Sequence, residues 1–260
     1  MNEVAPSRTG DLQVINASFE TLTGPTQLFA FGLVGADNTP VIGADVEVWT
    51  RTREGEPAVG PVPAQFREIP NQPLGLYVVR LDLPVAGAIP LAAVTSDGAA
   101  GQTALRVADP ETATVPAAGD TAPVVATPTT EDLLGFERLC TLYPPCGMHK
   151  NSFDSLIADG RPVMLSIATP GFCETAICGP TVEVVESVRT ARGDDDRVAW
   201  VHLEVFVDGG VTLAEQVTDW NLPSEPWLFG VGADGTVVGR LDGPLTVLPE
   251  EIMALAEQLV

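Results

Sequence analysis

Positive charge is the scarcest feature of this sequence: Lys150 is its only lysine, and thirteen basic residues face thirty-five acidic ones, a formal charge of −22 at pH 7. A phosphate backbone or an anionic lipid surface would be repelled by such a chain, so we expect no nucleic-acid partner. Cysteine is absent from the first 139 residues, and the four that exist, Cys140, Cys146, Cys173 and Cys178, fall within a stretch of 39 residues. That clustering excludes a disulfide scaffold spread along the chain and points to local redox or metal chemistry. No apolar run reaches the roughly 20 residues that a membrane-spanning helix needs. Residues 1 to 19 also lack the basic-then-apolar pattern of a secretory signal. The domain types read below suit an exported protein, so we expect a periplasmic or cell-surface chain from which a signal or lipid-anchor segment has been removed, with its membrane tether outside these residues.

What is present suffices for folding. The chain has 260 residues, 45% of them hydrophobic, which is too long for one small domain and suits two. From Asp11 to Ala108 short apolar stretches alternate with turn signals in the manner of a β-sandwich. The expected strands are Leu12 to Phe19, Gln27 to Val34, Val46 to Arg51, Gly75 to Leu83, Ile89 to Thr95 and Thr103 to Val107. The run Asp45-Val46-Glu47-Val48-Trp49-Thr50 alternates cleanly between core and solvent. Breakers at Asp37-Asn38-Thr39-Pro40 and Ser96-Asp97-Gly98 mark hairpins. This half has no His or Cys, and it reads as an adhesive or spacer module. Residues 109–130 hold four prolines, six threonines, five alanines and no aromatic, a composition that predicts a semi-extended linker between domains 1–108 and 131–260.

Beyond Glu131 helices and strands alternate. We expect helices at Ser152 to Ala158, Thr175 to Ala191, Leu213 to Trp220 and Pro249 to Leu259. Strands are expected at Pro162 to Ala168, Val198 to Val207, Trp227 to Gly232 and Thr236 to Leu241, giving the order β-α-β-α-β-β-α after the first helix. A crossover helix makes the first two strands parallel, and the Asp234-Gly235 turn makes the last two antiparallel.

Two segments carry a resemblance. Arg161-Pro162-Val163-Met164-Leu165-Ser166-Ile167-Ala168-Thr169-Pro170-Gly171-Phe172-Cys173 leads an apolar strand into a cysteine. Ser224-Glu225-Pro226-Trp227-Leu228-Phe229, followed by Gly235-Thr236-Val237-Val238-Gly239-Arg240, places a proline ahead of a hairpin. In these segments and in element order, Glu131 to Val260 resembles the thioredoxin family, most of all exported, membrane-tethered bacterial members with an immunoglobulin-like domain in front. The resemblance implies an all-β immunoglobulin-like sandwich followed by an α/β thioredoxin-like domain. It further implies thiol–disulfide exchange on extracytoplasmic protein thiols or disulfides, with Cys173 as nucleophile, Cys178 resolving, Pro226 in cis beside them, a redox partner and no cofactor.

The spacing departs from the family's Cys-x-x-Cys. Five residues of regular helix separate Cα atoms by about 8 Å, beyond the roughly 7 Å that a disulfide can bridge, so pairing Cys173 with Cys178 requires an unwound first turn. An alternative register lays Cys178-Gly179-Pro180-Thr181 on the family motif and makes the site monothiol. Thr169-Pro170-Gly171 resembles the segment before the peroxidatic cysteine of one peroxiredoxin branch, with Phe172 inserted, so thiol peroxidase is an alternative function. A non-catalytic binding module is another.

Cys140 and Cys146 flank Pro144 and Pro145 and are expected to form a local disulfide staple, or otherwise a relay to the other pair. Cys146-Gly147-Met148-His149 offers soft ligands that copper would accept, making copper binding or delivery a further alternative, with His149 and Cys146 as its candidates. His202, in the apolar run Trp200-Val201-His202-Leu203, reads as a core histidine rather than a ligand.

Overall fold

A computed structural model describes residues 12–53, 55–172, 177–193 and 195–260. It divides into two compact units, Met1–Ala113 and Thr114–Val260. The first is all β: β1 (Gln13–Asn16), β2 (Thr21–Leu22), β3 (Gly24–Val34), β4 (Val46–Thr50), β5 (Val59–Glu68), β6 (Gly75–Leu83), β7 (Gly87–Thr95) and β8 (Ala100–Ala108). They form one curled sheet in the order β1-β3-β6-β5-β4-β7-β8-β2. The curl brings Leu12, just before β1, within hydrogen-bonding reach of Ala100 on β8. Inside it lie Phe29, Phe31, Tyr77, Val79, Leu91 and Leu105, with their neighbours. The buried Tyr77 hydroxyl donates to the Val41 carbonyl and accepts from the Ala44 N–H, stitching the β3–β4 connection to the core. Strand β5 is absent from the sequence expectation because Gly60, Pro61 and Pro63 argue against a strand. It forms because Val62, Ala64 and Phe66 alternate onto the core, and it bends to pair with β4 at one end and β6 at the other.

The second unit contains a four-stranded sheet, β10-β9-β11-β12, built from β9 (Val163–Ile167), β10 (Ala199–Leu203), β11 (Trp227–Val231) and β12 (Val237–Asp242). Helices α1 (Phe153–Ala158), α2 (Cys178–Ala191), α3 (Glu215–Thr218) and α4 (Pro249–Glu257) accompany it. The α2 crossover leaves β9 and β10 parallel, while β11 runs antiparallel to both β9 and β12. Strands β9 and β11 are buried throughout, as befits apolar runs without alternation in the middle of a covered sheet. Helix α2 buries Cys178, Thr181, Val182, Val185 and Val188, the 3-and-4 spacing of one helical face. Gly235, at φ +79°, closes the β11–β12 turn, a conformation that glycine adopts without a Cβ penalty. No helix among the described residues is long and apolar enough to cross a membrane.

The expected linker 109–130 requires correction. Val115, Ala117, Ala122, Val125 and Thr127 are buried within the second unit. Gly119 and Ala122 donate backbone hydrogen bonds to Val237 and Gly235 of the hairpin, and Val237 donates to Asp120. Arg240, stacked over Trp227, holds the Val115 carbonyl at 2.6 Å. Composition suggested a spacer because prolines and threonines supply little apolar area, yet the spaced small apolar side chains cover a hairpin surface that would otherwise be wet. The stretch without such anchors is the single turn around Pro110–Thr112. A broad-specificity protease should therefore cut first between Asp109 and Ala113, with fragment masses reporting the site; first cleavage between residues 115 and 127 would contradict the packing.

Candidate functional site

Two groups of sulfur-bearing residues lie in the second unit. The first is at the start of α2. Cys178, its first residue, is wholly buried and disulfide-bonded. The bond gives Cys178 a sulfur partner, which the monothiol register does not supply. Cys173 lies outside the described residues. Thr181, which that register would have placed at the resolving position, is buried, its hydroxyl bonded to the Ile177 carbonyl and the Thr246 hydroxyl.

The loop leaving β9 is held from several sides. Ala168 donates to the Leu203 carbonyl, Val205 donates to the Thr169 hydroxyl at 2.7 Å, and Gly171 donates to the Thr141 hydroxyl at 2.8 Å. Thr169 itself has no solvent exposure, a poor position from which to meet a peroxide. The Glu225–Pro226 bond is cis. Register sets Trp227 against Ile167, so Pro226 lies next to the end of β9 from which this loop departs. Glu225 accepts the Thr169 N–H at 2.5 Å. Burial pushes its carboxyl up to about 7, with the Thr169 bond and His202 pulling the other way and Glu204 adding to the rise. Glu225 also lines a groove of about 330 Å³ together with Phe172, Val205, Phe206, Leu213 and Leu222.

The second group comes from the irregular segment 132–152 and from β10. Among the bonds that pin its chain are Glu137 N–H to the Val207 carbonyl, Thr141 N–H to Glu204 Oε1 at 2.6 Å, and the His202 N–H to the Met148 carbonyl at 3.1 Å. The last of these satisfies backbone on β10, an edge of the sheet. The expected Cys140–Cys146 disulfide is not formed. Both thiols are free, and their Sγ atoms are 3.8 Å apart against about 2.05 Å for a bond. The reason is that the sulfurs do not simply face each other. Cys146 Sγ lies 3.2 Å from His149 Nε2 and 3.4 Å from His202 Nδ1, Cys140 Sγ lies 3.7 Å from His202 Nδ1, and the two ring nitrogens are 3.2 Å apart. His202 is thus a buried core residue, as its strand suggests, and also part of a four-residue cluster with Cys140, Cys146 and His149. The Cys140 thiol is lowered by its hydrogen bond with Cys146, against the cost of burial and with help from both imidazoles. Cys146 is raised by that same partner and by desolvation. Glu204, buried and accepting from both the N–H and the hydroxyl of Thr141, is a further residue missed from sequence. A buried carboxylate directly after an apolar strand was its only signal.

Comparison with protein-family models finds no match to this chain, and comparison with curated proteins finds none either.

The Glu225 environment has a pH consequence. Its folded carboxyl holds a proton up to about 7 whereas the unfolded one releases it near 4.5. Between these values the folded state binds more protons, so this group's contribution to stability falls as pH rises through the window. Glu225→Gln, which can still accept from Thr169, should match the parent's melting temperature at pH 4 and exceed it at pH 8. A variant that is less stable than the parent at pH 8 would show that the ionised carboxylate is favoured there.

Proposed function

We propose that the second unit is an extracytoplasmic thioredoxin-like thiol–disulfide oxidoreductase working through Cys173 and Cys178, and that the first unit is an immunoglobulin-like spacer or adhesive module. The observation that carries this reading is the disulfide-bonded Cys178 at the first residue of α2, beyond the end of β9 where Glu225 and Pro226 also converge. Orphan N–H groups and the dipole at a helix start favour a thiolate. Full burial of Cys178 suits the resolving partner and leaves Cys173 the role of nucleophile.

In the reduced form the Cys173 thiolate attacks a substrate disulfide and releases one substrate sulfur as a thiolate. Cys178 then attacks the mixed disulfide, so the pair is oxidised by two electrons and the substrate leaves as a dithiol. The oxidised form runs the same steps backwards on a dithiol substrate. The leaving thiolate needs a proton at each stage, and a carboxyl with a pKa of about 7 at the base of the loop is suited to hold one near neutrality. The groove beside Phe172 and Leu213 offers apolar surface to a peptide flanking the reacting sulfur.

The test is turnover of insulin by the chain with dithiothreitol as reductant. The parent should accelerate precipitation, Cys178→Ser should lower the rate at least about tenfold while accumulating a mixed disulfide at Cys173, and Cys173→Ser should abolish it. Parent activity no greater than that of the Cys173→Ser/Cys178→Ser variant would leave a binding module whose disulfide serves stability.

A further inference from the structure

We propose that Cys140, Cys146, His149 and His202 are the ligands of a tetrahedral zinc ion that clamps segment 132–152 onto β10. The four ligand atoms all lie within 4.8 Å of one another, and five of their six separations are close to those of a coordination shell. Two sulfurs about 2.3 Å from a shared tetrahedral centre stand about 3.8 Å apart, two nitrogens at about 2.05 Å stand about 3.3 Å apart, and mixed pairs stand about 3.6 Å apart. The chain has 3.8 Å between sulfurs, 3.2 Å between nitrogens, and 3.2, 3.4 and 3.7 Å for three of the mixed pairs.

The orientation needed for binding is already set at one ligand. His202 Nε2 is 2.8 Å from the Ala168 carbonyl, which can only accept, so Nε2 carries a proton and Nδ1 is the nitrogen turned toward the cluster. An imidazole fixed by a carbonyl on its far nitrogen is the usual outer support of a metal-bound histidine. Cys146, His149 and His202 are each at least nine-tenths buried, so the ion would be almost enclosed.

The donor set chooses the metal. Two sulfurs and two imidazole nitrogens in a tetrahedron suit zinc, and no oxygen ligand is offered to calcium or magnesium. Binding displaces one proton from each thiol, and the resulting two thiolates balance the two charges of Zn²⁺, so the enclosed unit is neutral and cheap to bury. A monovalent copper ion in the same place would leave a net negative charge. Four protein ligands leave no open position, which makes the centre structural rather than catalytic. Zinc also keeps Cys140 and Cys146 out of thiol–disulfide exchange, and the centre stands whether or not Cys178 exchanges.

The full chain, purified without chelator, should carry about one zinc per molecule by plasma mass spectrometry. That content should persist in Cys173→Ser/Cys178→Ser and fall below about 0.1 in Cys140→Ser/Cys146→Ser. Because the latter variant could fail to fold, the parent supplies a second readout. Stripped of metal and titrated with cobalt(II), it should develop the intense visible bands of tetrahedral cobalt with thiolate charge transfer, and zinc should abolish them. A stripped, folded parent that takes up neither ion, a pale octahedral cobalt spectrum, full zinc content in the Cys140/Cys146 variant, or a Cys140–Cys146 disulfide in protein made with zinc present would each overturn the assignment.

Discussion

His202 sits in β10 with no exposure at all, and its ring joins two parts of the second unit that are far apart in sequence. Its Nε2–H is held by the carbonyl of Ala168 at the end of β9, while its backbone N–H is held by Met148 in the preceding irregular segment. A buried imidazole must have both nitrogens accounted for, and here one is spent on the sheet and the other is turned toward two sulfurs. Much else depends on that orientation. Were the ring flipped, the Ala168 carbonyl would lose its donor and Nδ1 would leave the cluster, removing one of the groups that tie segment 132–152 to the sheet.

The two cysteine pairs differ through their surroundings rather than their composition. Cys178 begins a helix, beside a loop whose Thr169 N–H is taken by a half-buried carboxyl. Cys140 and Cys146 lie between two imidazoles, with Glu204 tied to Thr141 on their own segment. The first setting supplies a helix terminus and a proton holder, which thiol–disulfide exchange uses. The second supplies two imidazole nitrogens beside two sulfurs, which a cation uses. The two share a border, since Thr141 reaches Gly171 on the loop beyond β9, so the segment that carries Cys140 and Cys146 also braces the loop that follows β9.

The strands and helices of the second unit were legible because each apolar run is bounded by a turn or cap signal; β9, α2, β11, β12 and α4 fall within a few residues of their sequence limits. In the first unit the alternation around Val46 to Thr50 identified β4, but β5 was hidden by its own glycine and prolines, whose cost is outweighed by the burial of Val62, Ala64 and Phe66. The segment 114–130 was illegible for the converse reason: its composition describes what it cannot do alone, while its packing depends on a hairpin more than 100 residues later in the sequence. Of the metal cluster, the sequence displayed Cys140, Cys146 and His149 as neighbours. His202 was concealed by the strand that carries it, because an apolar strand explains burial without saying which way a ring nitrogen points.

The most direct test of this account is X-ray absorption at the zinc edge of the purified chain. The predicted first shell has two sulfurs at about 2.3 Å and two nitrogens at about 2.0 to 2.1 Å, with the outer-ring scattering of two imidazoles. A shell of oxygen and nitrogen without sulfur, or one of four sulfurs, would contradict it, because neither can be built from two cysteines and two histidines gathered around His202.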